Sequence, residues 1–227
     1  MDKNINIYDL KGKKFAASYS GGKDSILAIY RSVKAGLIPH KLINTYNTDA
    51  NRSWFHGITE SLLNEVSDSL KIPVYLMRTS GAEYEKNFEK TLTQMKNEEA
   101  EICVFGDIDI EEHLEWCTER CNKTGIIPFF PLWQENRKKL VYEFIDSGFS
   151  ALITIIDTER MSENFIGRIL TKDTAIEIEK SGADICGENG EYHTFVFDGP
   201  LFSKRIDYIT GGTIIKDKYF ILPVDIN

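Results

Sequence analysis

Six consecutive residues, Ser20-Gly21-Gly22-Lys23-Asp24-Ser25, carry the groups needed to hold a phosphate. They follow an apolar run, Phe15-Ala16-Ala17, and precede Ile26, Leu27, Ile29, Tyr30 and Val33 at helical spacing, so the order reads strand, glycine loop, helix. Such a loop aims backbone N–H groups and a helix N-terminus at one spot, where the macrodipole favours an anion. Gly21 and Gly22 let the backbone approach a ligand, and Ser20 and Ser25 add hydroxyls. Lys23 supplies a mobile charge, and Asp24 can hold magnesium against phosphate oxygens. The plain alternative is a well-capped turn that happens to carry a lysine.

Three further stretches could do chemistry. Gly187-Glu188-Asn189-Gly190-Glu191-Tyr192-His193-Thr194 packs two carboxylates, an amide, a phenol, an imidazole and a hydroxyl around two glycines. A solvated turn would look similar, but the apolar Phe195-Val196-Phe197 that follows argues for a loop held in place. Gly106 and Asp107 close the strand Ile102–Phe105, where a glycine admits a ligand and an acid can orient a metal or nucleophile, or simply cap a helix. His56, in Trp54-Phe55-His56-Gly57, can meet phosphate or substrate, or pack. Cys117 and Cys121 share a helix face, yet no CxxC or HxxxH spacing supports zinc, including at His113.

The elements that must place these residues alternate. Strands are expected at Lys41–Asn47, Pro73–Met77 and Ile102–Phe105, with helices at Ile58–Leu70, Tyr84–Glu99 and Glu111–Asn122. That alternation means a parallel sheet, with ligands beyond the carboxyl ends of the strands. A proline-rich break at Ile126–Trp133 reads as a boundary or rigid crossing. Beyond it come a helix at Glu135–Asp146, a strand at Ala151–Ile156, a short helix after Thr171, and short strands at Thr194–Phe197, Ile206–Thr210 and Tyr219–Val224. The expected organisation is two α/β domains, 1–127 and 128–227.

With 227 residues the chain can bury an ample core, and 42% apolar with 27% charged residues is ordinary globular composition. A net charge of −8 argues against a general nucleic-acid binder. No apolar run is long enough for a membrane span, and the N-terminal MDKNINIYDLKGKK lacks the apolar stretch of a secretion signal, so a cytoplasmic protein is expected. Four cysteines are too few and scattered for a disulfide scaffold.

The loop lacks the glycine spacing of a Walker motif. SGGKDS instead resembles the PP-loop of the N-type ATP pyrophosphatases, which cleave ATP between its α and β phosphates. In order along the chain, SGGKDS, WFHG, GDI, PLW (Pro131–Trp133), GENGEYHT and DGPLF (Asp198–Phe202) resemble the diphthine–ammonia ligase family, over roughly residues 13 to 204. In eukaryotic and archaeal members the late loop reads closer to GEGGEYET. Asn189 and His193 depart from that and resemble the bacterial branch, which has been connected with cobalamin salvage and not with diphthamide.

The resemblance implies an adenine-nucleotide α-hydrolase-like, Rossmann-like parallel sheet that binds ATP, with a smaller C-terminal α/β domain. Phosphates would lie at Ser20–Ser25, adenine near Tyr46 and Asn47, with His56 and Gly106 also on the nucleotide. Asp107, Gly187, Glu188, Asn189, Glu191, Tyr192 and His193 would face the substrate, and Asp24 and Asp107 would hold magnesium. ATP would adenylate a small-molecule or protein-borne carboxylate, pyrophosphate would leave, and ammonia would displace AMP. Glu188 or Glu191 would bind ammonium or take its proton, and Lys23 and Asp24 would serve the first step. The chain has no room for a glutaminase domain, so free ammonium or a separate partner supplies nitrogen; a homodimer is compatible. A regulatory module that binds ATP or AMP without turnover, and a tRNA-modifying PP-loop enzyme, are the competing readings.

Overall fold

The structure, a computed structural model, describes residues 10–54 and 56–227; Phe55 of the WFHG stretch and most of the N-terminal segment read for a secretion signal lie outside them. In chain order the first elements are β1 (Lys14–Ser18), α1 (Lys23–Lys34), β2 (Ile38–Asn47), β3 (Arg52–Ser53), α2 (Glu60–Leu70), β4 (Val74–Thr79), α3 (Tyr84–Asn97), β5 (Ile102–Val104), α4 (Glu111–Thr124) and β6 (Ile127–Phe129). Then follow α5 (Arg137–Asp146), β7 (Ser150–Asp157), α6 (Lys172–Lys180), β8 (Tyr192–Asp198), β9 (Ile209–Thr210), β10 (Ile214–Lys216), β11 (Tyr219–Ile221) and β12 (Val224–Asp225). The described chain divides into two compact units.

The first unit, residues 10–20, 24–54 and 72–134, is built on a mixed, mostly parallel sheet. β4, β2, β1, β5 and β6 pair parallel in that order, and β3 pairs antiparallel with Tyr46 and Asn47. Counting only the parallel strands, the order is third, second, first, fourth, fifth. It reverses between β1 and β5, whose carboxyl ends lead into Ser20 and Gly106. One sheet face is covered by α3 and α4: Phe88, Leu92, Met95, Leu114, Cys117 and Cys121 pack with Ala16, Ile43, Met77, Cys103 and Phe105. Cys103, Cys117, Cys121 and Cys186 are buried free thiols, and burial pushes Cys103 and Cys117 well above the usual thiol range. The proline-rich stretch is more than a crossing. It contributes β6, where Pro128 pairs with Cys103 and its missing N–H is tolerated at the sheet edge.

The second unit, residues 21–23, 56–71 and 135–227, holds a wholly antiparallel sheet in the order β10-β11-β7-β8 and a small β9–β12 ribbon. β7 is its spine, buried from Ala151 to Asp157. Helix starts are fixed by side-chain caps: Asn136 accepts from Lys139 N at 3.0 Å for α5, and Thr171 from Thr174 N at 3.2 Å for α6.

Candidate active site

In the first unit, β1 delivers Ser20 to the reversal of strand order, and Asp24 and Ser25 open the following helix. Ser20 Oγ donates to Ser25 Oγ at 3.3 Å, which ties the loop's two ends. Gly106 is a glycine for a reason the sequence did not show. A Cβ there would stand 2.9 Å from the Asp24 carbonyl carbon and 2.9 Å from Ser25 N, so the loop backbone rests directly on it. Asp107 lies 3.2 Å from His113 Nδ1. At the end of β2, Tyr46 is buried under the Arg78 guanidinium, 4.9 Å from its ring, and its hydroxyl donates to Asn51 O at 2.8 Å. Asn47 Oδ1 accepts from Asp49 N and Ala50 N at 2.9 and 3.1 Å, so this side chain is spent on the turn toward β3. Asn44 Nδ2 donates to Tyr19 O at 2.8 Å, while the Tyr19 hydroxyl and Asn44 Oδ1 are buried without partners among the described residues.

In the second unit, Gly21–Lys23 lie along β8. Val196 N donates to Gly21 O at 2.9 Å, and Lys23 N donates to Thr194 Oγ1 at 3.1 Å. His56 Nδ1 is 2.8 Å from Thr194 O, and because a carbonyl can only accept, Nδ1 carries the proton and Nε2 a lone pair. The imidazole is neutral: burial, then the neighbouring His193, lowers its pKa to about 3, and Lys23 adds to this. The ring also explains Gly22, where a Cβ would sit 2.6 Å from His56 Cε1. Gly21 has φ +94, open to glycine but strained for other residues. Lys23 is only 5% exposed, with its Nζ 5.4 Å over the Tyr192 ring; the Tyr192 hydroxyl is anchored by donation to Ile185 O at 2.7 Å.

The acidic loop is organised by Asp184 and Arg137, neither of which the motif reading singled out. Asp184 Oδ1 accepts from Cys186 N at 3.0 Å and its Oδ2 from Glu188 N at 3.1 Å, while Arg137 pairs with the same carboxylate at 2.5 Å. Arg137 also donates to Asn189 Oδ1 at 3.3 Å. Asn189 in turn donates its backbone N–H and its amide to the two oxygens of Glu191, both at 3.1 Å. Glu191 is therefore buried, at 5% exposure, with its carboxylate held from one side, whereas Glu188 is half-buried. Gly187, at φ +70, packs so tightly that a Cβ would meet the Tyr192 ring at 2.8 Å. An aspartate two residues before Cys186-Gly187 is a turn signal that could have been read. Arg137, about fifty positions upstream of the loop, offers none.

His193 meets the His56 ring edge-on, with centroids 4.9 Å apart. Among the described residues no three His, Cys, Asp or Glu side chains converge on a metal position, and no helix is long and apolar enough to cross a membrane.

The family model described as "Diphthamide synthase N-terminal domain" matches residues 13–128, and "Diphthamide synthase C-terminal domain" matches residues 136–220. Proteins named diphthine–ammonia ligase are similar throughout. The Rattus norvegicus protein is 26% identical over 239 residues, covering 93% of this chain and 88% of its own. The Homo sapiens protein is 25% identical with the same coverage, and the Danio rerio protein 25% identical over 90% of each. A solved structure described as "predicted subunit of tRNA methyltransferase from Methanocaldococcus jannaschii DSM" aligns with 86% of this chain and 100% of its own at 18% identity and TM-score 0.45. Two adjoining matches that together span most of the sequence, in the order of the two halves of one enzyme, make this chain a member of the diphthamide synthase family.

Proposed function

We propose that the chain is an ATP-dependent amide ligase. A carboxylate oxygen of the substrate attacks the α-phosphorus of ATP, the α–β phosphoanhydride breaks, and pyrophosphate leaves. Ammonia then attacks the acyl carbon of the adenylate, AMP departs with the former carboxylate oxygen, and the amide loses a proton to a base. The observation that carries this reading is the glycine loop Ser20–Ser25 at the reversal of strand order, where open α/β sheets bind their ligands.

The roles follow from the chemistry of each group. Ser20, Gly21, Gly22 and Ser25 offer donors to the phosphates, and Lys23 neutralises charge that builds on the α-phosphate. The end of β2 at Tyr46 and Asn47 would meet adenine through its backbone, since the Asn47 side chain serves the turn, and Gly106 lets the loop backbone rest directly on it. His56 contributes a bare Nε2 that accepts from a ligand hydroxyl or amine, not a positive charge. Asp24 and Asp107 are the carboxylates that would hold magnesium, which would withdraw charge from the phosphate oxygens. Gly187, Glu188, Asn189, Glu191, Tyr192 and His193 form the substrate loop, with Glu191 fixed and Glu188 the more accessible acid to receive ammonium and take its proton. Its relatives are named for diphthine and ammonia; here the acceptor is a carboxylate, small or protein-borne, in the cytoplasm.

The test is nucleotide product analysis with ATP, magnesium, ammonium and a panel of carboxylates, diphthine among them. AMP and pyrophosphate formed in equal amounts, and only with a particular carboxylate, are expected. ADP as the product would overturn the reading.

A further inference from the structure

Resting on the nucleotide reading above, we propose that Thr194 is a phosphate-binding residue. Its hydroxyl accepts from the Lys23 backbone N–H and donates its own proton to a phosphoryl oxygen of the bound nucleotide. Thr194 stands on β8, about 170 positions after the glycine loop, and its Oγ1 lies 3.1 Å from Lys23 N. Its carbonyl is fixed as well, by His56 Nδ1 at 2.8 Å, and the loop is pinned one step further along by Val196 N to Gly21 O at 2.9 Å. Position and side-chain direction are therefore both determined before any ligand arrives.

The hydroxyl accepts one hydrogen bond and has a proton to give. Among the described residues no side chain or loop carbonyl is seen to accept it: the hydroxyl receives the Lys23 N–H, and the Thr194 carbonyl receives His56 Nδ1. Thr194 is buried, at 2% exposure. A buried donor left unspent costs free energy, and it persists where a ligand uses it. The surroundings specify that ligand as an anion. The helix that begins at Lys23 presents its positive end, and the Lys23 ammonium is held nearby over the Tyr192 ring. A hydroxyl that takes one backbone N–H and passes a proton to phosphate also polarises along that chain, which strengthens both bonds.

Calorimetry on the full chain tests this, with ATP, inorganic pyrophosphate and adenosine as separate probes in the presence of magnesium. Thr194→Val keeps the side-chain shape and removes the hydroxyl; Thr194→Ser keeps the hydroxyl. Thr194→Val is expected to weaken ATP and pyrophosphate about 10- to 100-fold, the loss of one hydrogen bond to a charged group, while adenosine binding stays as in wild type. Thr194→Ser should return phosphate affinity to within about threefold of wild type. Equal loss for adenosine would show a merely structural role and overturn the proposal. So would unchanged phosphate affinity in Thr194→Val, and so would tighter binding, which would mean that the hydroxyl competes with the ligand for the Lys23 amide. A wild-type chain that binds neither ATP nor pyrophosphate would overturn the nucleotide reading itself, and the inference with it.

Discussion

Gly106 and His56 are the residues where local physics makes the sharpest demands. A methyl at Gly106 would press on the Asp24 and Ser25 backbone at 2.9 Å, and backbone at a helix start cannot swing aside as a side chain can. Gly106→Ala should cost about 1–3 kcal/mol of stability by overpacking, seen as a lower urea midpoint, and should weaken ATP binding along with it. His56 gives a pH signature. Its folded pKa of about 3 lies below the usual 6.5, so below pH 6.5 the unfolded chain takes up a proton that the folded chain refuses. Stability attributable to this group is intact above pH 6.5 and is lost progressively as pH falls toward 3. His56→Gln should therefore lose less stability than wild type between about pH 6.5 and pH 4, measured as denaturant midpoints; a steeper loss in the variant would reverse the assignment. The loop SGGKDS was legible because its residue types are contiguous and chemically explicit. Arg137 was not, because an arginine about fifty positions from the loop it holds signals nothing until the fold brings its partner near.

Elements with strong periodicity were readable and short ones were not. α2 to α6 carry apolar residues at helical spacing, and the central strands β1, β2, β4, β5 and β7 carry apolar runs, so pattern and structure agree to within a few residues. β3 has two residues, too few for any period, and β6 contains Pro128, which argues against a strand unless it lies at an edge. β10 was missed because Ile214, Ile215 and Lys216 are all exposed, so no buried face imposes an alternation. The segment from Ile185 to Glu191 behaves as a built element although it has no regular structure. Asp184 holds two of its backbone N–H groups and is held by Arg137, which also reaches Asn189. Asp184→Ala should release this loop and lower kcat/KM for ammonium about tenfold or more, while ATP affinity stays unchanged. An unchanged ammonium dependence would show that the loop's order does not matter to the second step.

At the scale of the whole molecule, the alternation of strands and helices foretold the parallel sheet, whose strand order reverses between β1 and β5, just ahead of Ser20 and Gly106. The antiparallel character of the sheet β10-β11-β7-β8 was less visible, since β10 and β11 are three residues long and joined by a turn that periodicity does not describe. The central claim is that a carboxylate is activated at the α-phosphate of ATP. It is tested most directly by supplying the substrate carboxylate with both oxygens as oxygen-18, letting the ligation run with ammonium, and weighing the AMP. One labelled oxygen in each AMP is predicted, because the oxygen that attacks phosphorus leaves with it when ammonia takes the acyl group. Label appearing in inorganic phosphate, with unlabelled nucleotide, would place the attack on the terminal phosphate and contradict the account.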